Sequence, residues 1–175
     1  MEPNQVQWLW DQLQIQQVLA TYCRGIDRCD KQLLKTAYWP DALEEHGIFT
    51  GNAMEWADFI VPLIGTMKMT MHAIGNSLID IDGDQADAET YVNAYHLMDD
   101  PAGGQTEMIV AGRYLDRFER RQGEWRIARR TFVMDWNQNR PASVQWEGGM
   151  YGALKVRGSN DRQDPSYRLF RPHQA

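Results

Sequence analysis

The feature that most constrains the fold is a series of long strand-like stretches separated by tight-turn sequences. The stretches cover residues 68–81, 86–98, 106–120 and 125–137. Turn sequences containing Gly83 and Gly123, and the segment 101–104, lie between them. Asp-Gly steps and related glycine turns between alternating stretches are typical of hairpins. The pattern predicts a long antiparallel meander, which must curl to bury one face.

The first third of the chain carries helical patterns. Apolar residues recur at three- and four-residue steps over residues 5–25, which predicts one long amphipathic helix. Asp30 has the residue type of an N-cap for a short helix over residues 31–38. A brief strand is expected at residues 42–49.

A third helix is expected between this brief strand and the first long one. Asn52 is its candidate N-cap, the helix covers residues 53–64, and Pro62 is expected to break its last turn. Helices packed inside a curled antiparallel sheet form a cone. The predicted fold class is therefore α+β, a barrel-like curved sheet wrapped around N-terminal helices.

The predicted barrel domain covers residues 1–140, and residues 141–175 form a C-terminal extension. A chain of 175 residues has the length of one domain. The strand pattern ends at Pro141, but the following segment still contains Trp, Tyr, Leu and Phe. We expect this extension to pack on the barrel or on a neighbouring subunit.

Charge and hydropathy argue against several classes of protein. The net charge of −6 at pH 7 and the pI of about 5.2 disfavour a nucleic-acid partner, because nucleic acids bind strongly basic surfaces. No apolar run approaches the roughly 20 residues needed to cross a bilayer. The N-terminus also lacks the basic start and apolar core of a signal peptide. We expect a cytoplasmic protein without a membrane partner.

The sequence contains no motif for a metal or a nucleotide cofactor. The four histidines are far apart, without an HxH or HExxH pair, and Cys23 and Cys29 form no CxxC motif. Neither GxGxxG nor a P-loop sequence occurs. The two cysteines are expected to be small buried thiols. The expected chemistry therefore uses neither a cofactor nor a metal.

Asp27 and His72 carry the clearest chemical signal. A carboxylate that accepts a hydrogen bond from an imidazole orients the ring, fixes its tautomer and stabilises the imidazolium, so the pair acts as a general base. Asp27 lies near the end of the first predicted helix, and His72 lies on the first long strand. The alternatives are a strand histidine with only structural hydrogen bonds and an aspartate that caps the helix end.

Residues 5–137 resemble the SnoaL-like branch of the nuclear-transport-factor-2-like superfamily. Within that branch the chain is similar to cofactor-independent lyases: scytalone dehydratase, hexachlorocyclohexane dehydrochlorinase and bile-acid dehydratase. In these families an Asp late in the first helix pairs with a His on the central sheet, and Asp27 and His72 match those positions. Tyr22 matches a tyrosine of the bile-acid dehydratase pattern. Arg130 falls where the dehydrochlorinase has an arginine that contacts the leaving group.

The resemblance implies a catalytic set and a substrate-binding set. His72 and Asp27 form the base, and Tyr22 donates a hydrogen bond to a leaving hydroxyl or a developing oxyanion, or else only packs in the core. Arg130 holds an anionic oxygen, or else is one more surface charge. Large aromatic and Met side chains are the candidates for the cavity wall. These further substrate-binding candidates are Trp39, Tyr95, Met134 and Trp136.

His96 is the candidate for a second histidine in the pocket. By strand alternation it shares a face with Ala94 and lies opposite Tyr95, and the pattern leaves open which face is inward. His46 and His173 receive no role at this stage.

The resemblance implies a cofactor-independent lyase acting on a small apolar, aromatic or alicyclic substrate, in aromatic-compound catabolism. Loss of water by β-elimination is the first choice, and loss of halide, or of formaldehyde from a diaryl lignin-derived compound, uses the same base. The fold also hosts other activities. The alternatives are an isomerase or cyclase with the same base, and a non-catalytic ligand-binding protein like the small subunits of aromatic-ring dioxygenases. A homo-trimer or homo-dimer is expected.

Overall fold

A computed structural model describes residues 3–169 of the chain. The helices are α1 (Pro3–Asp27), α2 (Lys31–Thr36), α3 (Ala53–Gly65), α4 (Gly149–Ala153) and a 3₁₀ helix at Pro165–Arg168. The strands are β1 (Tyr38–Glu45), β2 (Thr50–Asn52), β3 (Met69–Asp82), β4 (Gln85–Asp99), β5 (Gln105–Arg121) and β6 (Glu124–Pro141). The end of the predicted extension, residues 170–175 with His173, lies outside the described residues.

All six strands belong to one curved, open sheet with the order β2-β1-β6-β5-β4-β3. Neighbouring strands are antiparallel except β1 and β6, which run parallel. The four long strands form the predicted meander. Their ends lie one residue from the predicted ends, except that β6 continues four residues further. α1 packs on β3 and β6, and α3 packs on β1. The α+β fold class is therefore confirmed.

Gly112 marks the place where the two longest strands bend. The register between β5 and β6 shifts between Ala111 and Gly112. A Cβ atom at Gly112 would stand 2.0 Å from the carbonyl oxygen of Val133, so only glycine permits this close approach. Such irregularities increase local twist and bending. The sheet can therefore curl around the helices.

The buried apolar side chains of α1 begin at Ile15. Ile15, Tyr22 and Ile26 are buried, whereas Leu9 and Leu13 are exposed. Leu13 precedes Ile15 by two residues, which places it about 200° away around the helix axis. The apolar residues that predicted this helix therefore lie on two of its faces, and one of these faces is exposed.

Two local predictions are wrong. The strand expected at residues 42–49 begins four residues earlier, as β1, and ends at Glu45; residues 46–49 form a turn that leads to β2, and Gly47 in this turn has a φ of 74°. Pro62 does not break α3, which continues to Gly65. The proline lies on the exposed side of the helix, where water can solvate the carbonyl group left without a partner.

Part of the C-terminal segment packs near the end of α1. Nη1 of Arg28 donates to the carbonyl oxygen of Ser159 over 2.7 Å. Nδ2 of Asn160 donates to the carbonyl oxygen of Met67, just before β3, over 3.0 Å. The segment thus contacts the residue that follows α1 and a residue that precedes β3. The division of the chain at residue 140 stays a prediction.

The convex face of the sheet carries exposed apolar side chains, among them Met71, Leu78, Tyr91 and Leu115. Association into a homo-trimer or homo-dimer through this face stays a prediction. None of the described helices is both long enough and apolar enough to span a membrane.

Candidate active site

The C-terminal end of α1 meets strand β3 at Asp27 and His72. Nδ1 of His72 donates to Oδ1 of Asp27 over 2.7 Å, and the backbone N–H of His72 donates to Oδ2 over 2.9 Å. The hydroxyl of Thr70 donates to the same carboxylate over 3.3 Å. Each side chain of the pair is 10% exposed. Because a carboxylate only accepts, the ring hydrogen belongs on Nδ1, and the lone pair on Nε2 is left to accept a proton.

His72 borders a cavity of about 460 Å³ between the helices and the concave face of the sheet. Most of the wall is aliphatic, aromatic or Met side chains. The polar groups come from Tyr22, His46, Trp56, His72, His96 and Tyr114. Sites for small molecules in proteins have volumes of roughly 300–1,000 Å³ and combine apolar walls with a few polar groups. The cavity has the size and the lining of such a site.

His96 faces the cavity beside His72. It shares this inward face of β4 with Val92 and Ala94, which answers the question that alternation left open. The two imidazole rings meet edge to face, 5.4 Å apart, and His96 is 5% exposed. Burial, followed by the neighbouring His72, lowers the pKa of His96 from 6.5 to about 4. Nδ1 of His96 is buried without a hydrogen-bond partner within the described part of the chain.

Tyr22 lines the cavity and is otherwise enclosed by aromatic rings. Its ring meets those of Tyr38 and Tyr114 edge to face, at 5.9 and 5.4 Å. Burial, with a smaller contribution from the charge of Glu44, raises the pKa of the Tyr22 phenol despite the opposing effect of Arg130. The hydroxyl therefore stays protonated and can donate a hydrogen bond to a ligand.

Arg130 lies behind the cavity wall, which corrects the prediction that it binds substrate. Its guanidinium group is 0% exposed and donates two hydrogen bonds of 2.7 Å to Asp116, its partner across β5 and β6. The rings of Tyr22 and Tyr114 lie 4.0 and 3.9 Å from the guanidinium carbon. Carboxylate and ring faces thus enclose the cation, so it is neither a surface charge nor a ligand-facing group.

Of the four other wall candidates, only Met134 borders the cavity. Trp39 donates its indole N–H to the carbonyl oxygen of Glu119 and packs under two arginines, away from the cavity. Tyr95 occupies the face of β4 opposite His96. Trp136 lies beyond the irregular register near Gly112 and is 49% exposed. Whether a strand side chain borders the cavity depends on which face of the sheet it occupies and on how far it lies from the helices.

His46 lines the cavity although the sequence analysis gave it no role. It follows β1, and its Nδ1 donates to Oε1 of the buried Glu44 over 2.8 Å. The ring stacks against Trp56 at 4.4 Å and against Phe132 at 4.7 Å. The signal available in the sequence was the Glu-x-His spacing, since residues two apart on a strand share a face.

The described residues contain no group of three or more His, Cys, Asp or Glu side chains that could hold a metal ion. Cys23 is buried, and burial raises the pKa of its thiol to about 12. The cavity therefore offers imidazoles, phenols and one indole N–H as its reactive and hydrogen-bonding groups.

Sequence comparisons find related proteins over most of the chain. The family model of the SnoaL-like domain matches residues 7–131. The uncharacterized protein Rv2910c of Mycobacterium tuberculosis is 30% identical over 124 residues, which cover 69% of this chain and 82% of that protein.

Solved structures that share the fold include two enzymes or enzyme-like proteins named for elimination reactions. LinA type 2, a hexachlorocyclohexane dehydrochlorinase, superposes with a TM-score of 0.72 at 19% identity, covering 83% of this chain and 99% of that one. A Novosphingobium aromaticivorans protein provisionally named scytalone dehydratase superposes with a TM-score of 0.65 at 20% identity, covering 78% and 91%. Identities this low establish a common architecture and leave the reaction to be argued from the site.

Proposed function

This chain belongs to the SnoaL-like domain family, in the nuclear-transport-factor-2-like superfamily, and we propose that it is a cofactor-independent lyase. Its substrate is a small, largely apolar aromatic or alicyclic compound. The reaction is a β-elimination in which a proton leaves one carbon and a leaving group leaves the next. Loss of water is the first choice, and loss of halide uses the same base. Loss of formaldehyde uses that base differently, to remove a hydroxyl proton as the C=O bond of formaldehyde forms and a C–C bond breaks.

The observation that carries the proposal is the contact between His72 and Asp27 at the edge of an apolar cavity. Nδ1 of the ring is held at 2.7 Å by the carboxylate, so Nε2 is the nitrogen available to take a proton. The carboxylate also stabilises the imidazolium that forms. A positioned base of this kind contributes about 10²–10⁴-fold to a rate.

The elimination proceeds in two linked events. His72 takes a proton from the carbon next to a carbonyl group, and the electron pair left behind forms the new double bond as the β-substituent departs. Negative charge develops on the carbonyl oxygen and on the leaving group. The protonated phenol of Tyr22 is suited to donate a hydrogen bond to one of these oxygens.

The cavity supports an aromatic or alicyclic substrate. Its wall combines Ile and Val side chains with aromatic rings and the thioethers of Met67, Met108 and Met134. Flat surfaces and flexible thioethers pack well against rings. The polar groups are few, so they fix the orientation of the ligand while the apolar wall excludes bulk water.

The test separates proton abstraction from elimination by using two probes. Dihydrochalcone, which has two phenyl rings and no leaving group, reports the base alone through exchange of its acidic C–H in deuterated water, measured by mass spectrometry. β-Chlorodihydrochalcone reports elimination through formation of chalcone, measured by absorbance. The expected result is that His72→Ala and Asp27→Asn lower both rates about 10²–10⁴-fold.

Asp58→Asn provides the matched control, because Asp58 is exposed and, among residues 3–169, its ion pairs are with Lys31 and Lys35. It should change neither rate. Exchange without elimination in the unmodified protein would favour an isomerase or cyclase. If neither probe reacts faster than in buffer, or if His72→Ala retains both rates, the lyase proposal is wrong.

A further inference from the structure

The cavity receives a second carboxylate–histidine pair, Glu44 with His46. His46 follows β1, near one end of the sheet order, whereas His72 lies on β3 at the other end. Curling of the sheet brings both rings to the wall of the same cavity. A ligand in this cavity therefore faces two imidazole rings, one from each end of the sheet, and each ring is held by a carboxylate.

The position of the His46 ring is well defined. Its plane is inclined by 25° to that of Trp56 and by 13° to that of Phe132. Glu44 accepts the hydrogen from Nδ1, so Nε2 is the nitrogen that remains for a ligand. Glu44 is itself held, since the hydroxyl of Tyr38 donates to its Oε2 over 2.6 Å.

The buried carboxylate of Glu44 lies next to the His46 ring. The Glu44 side chain is 0% exposed, and a buried carboxylate needs a compensating charge. Within the described residues its side-chain hydrogen bonds come from Tyr38, which is neutral, and from His46. The nearby cation of Arg130 is already paired with Asp116. His46 is therefore the hydrogen-bonded neighbour of Glu44 that can supply the positive charge as an imidazolium.

We propose that His46, held by Glu44, is the general acid that protonates the departing oxygen, while His72 is the base. This inference rests on the proposed lyase function. In the dehydration of a β-hydroxy ketone, His72 gains the proton from carbon and the C–O bond breaks as the C=C bond forms. Nε2–H of His46 gives its proton to the leaving hydroxide, which departs as water. Solvent then returns a proton to His46 and removes one from His72.

The test compares two probes that differ only in the leaving group. β-Hydroxydihydrochalcone must lose hydroxide as water, whereas β-chlorodihydrochalcone loses chloride, which needs no proton. Both give chalcone, so one absorbance assay measures both rates after subtraction of the rate in buffer. His46→Phe keeps an aromatic ring between Trp56 and Phe132 but removes both ring nitrogens.

We expect His46→Phe to lower turnover of the hydroxy probe about 10²–10⁴-fold and turnover of the chloro probe less than about tenfold. A misfolded variant would lose both reactions together, so the ratio of the two losses is the informative quantity. Equal losses on both probes, or no loss on either, would overturn the role of His46. The lyase function would still stand in that case, provided that His72→Ala abolishes both reactions.

The opposite failure is also recognisable. If His72→Ala keeps its turnover of the chloro probe, or if the unmodified protein turns over neither probe faster than buffer, the lyase function fails and the role of His46 fails with it.

Glu44 acts through His46, as a positioning residue, and its test uses the same ratio. Glu44→Gln should lower turnover of the hydroxy probe more than that of the chloro probe, in the same sense as His46→Phe. Glu45→Gln makes the same change at an exposed carboxylate next to Glu44 on β1 and serves as the matched control, with small and equal effects on both probes. Equal losses with Glu44→Gln would remove Glu44 from the proposal.

Discussion

Two of the acid–base pairs in this protein are each joined by short hydrogen bonds and differ in their access to the cavity. Asp116 and Arg130 bind each other through two hydrogen bonds and are both 0% exposed. Asp27 and His72 are each 10% exposed and border the cavity. In the first pair Nε and Nη2 of the guanidinium bind the carboxylate, and Nη1 is buried without a hydrogen-bond partner among the described residues. In the second pair Nε2 of the ring is available on the side of the cavity. Reactivity therefore follows access to the cavity. Asp27 and His72 form the open pair, which borders the cavity, and Asp116 and Arg130 form the closed pair, which contributes structure.

The largest expected effect is on activity, where a variant of the open pair is compared with a variant of the closed pair. His72→Ala should lower the exchange rate of dihydrochalcone about 10²–10⁴-fold, because it removes the imidazole that takes the proton. Arg130→Met should lower it less than about tenfold per folded molecule, since the guanidinium does not reach the ligand. Mass-spectrometric exchange measurements on both variants, normalised to folded protein, provide the comparison. Similar losses in the two variants would show that the distinction between the pairs is wrong.

For the free energy of unfolding, the larger effect is expected from the closed pair, Asp116 and Arg130. Arg130→Met leaves Asp116 buried without its partner and should lower the free energy of unfolding by roughly 3–5 kcal/mol. The double variant Arg130→Met with Asp116→Leu should recover most of that loss, because an apolar pair needs no compensation. Urea unfolding followed by circular dichroism measures both. No recovery in the double variant would mean that packing rather than unpaired charge dominates.

An intermediate effect is expected from His96, which lies next to the open pair. Its pKa is 6.5 in the unfolded chain and about 4 when folded, lowered first by burial and then by His72, against the opposing effect of Asp27. Between these pH values the unfolded state binds more protons, so stability is retained above pH 6.5 and is lost as the pH falls toward 4. The loss amounts to at most roughly 3 kcal/mol.

His96→Phe isolates this contribution, because phenylalanine does not titrate. The free energy of unfolding of the variant should fall less steeply than that of the unmodified protein between pH 6.5 and pH 4. Carboxylates titrate in both proteins, so the difference between the two curves is the measured quantity. Parallel curves would mean that His96 keeps an ordinary pKa in the folded protein.

The smallest effect is expected outside the cavity. Tyr95→Phe removes a hydroxyl from the face of β4 opposite His96 and should leave the exchange rate unchanged. Stability should change by no more than about 1 kcal/mol, the typical contribution of one hydrogen bond. Exchange and urea unfolding on the same preparation test this expectation. A loss of exchange would return Tyr95 to the substrate-binding set.

Local sequence signals were sufficient for the meander and insufficient for the surroundings of the site. Glycine turns and alternation located the long strands to within a few residues, since both are properties of neighbouring positions. The contact between Asp27 and His72 was reached through resemblance to known families, because no local pattern relates residues 45 positions apart.

The missed features depend on what packs against each residue. Arg130 was expected at the ligand because it matches an arginine of the dehydrochlorinase family. The sequence alone does not indicate that Asp116 lies opposite it and binds its guanidinium group. Tyr95 and His96 lie on opposite faces of one strand, and both faces carry large side chains, so alternation could not orient the strand. The stacking of His46 between Trp56 and Phe132 depends on residues far apart in the sequence.

The hydrogen bond from the backbone N–H of His72 to Asp27 has a consequence for assembly. β3 is the last strand in the sheet order, so donors on its outer side are open to strand addition by another chain. Asp27 occupies one of these donors at 2.9 Å. The same carboxylate that aligns the ring therefore also protects part of the open border of the sheet from intermolecular pairing. Asp27→Asn offers one carbonyl oxygen in place of two carboxylate oxygens. It therefore weakens both the alignment of the His72 ring and the protection of the sheet edge.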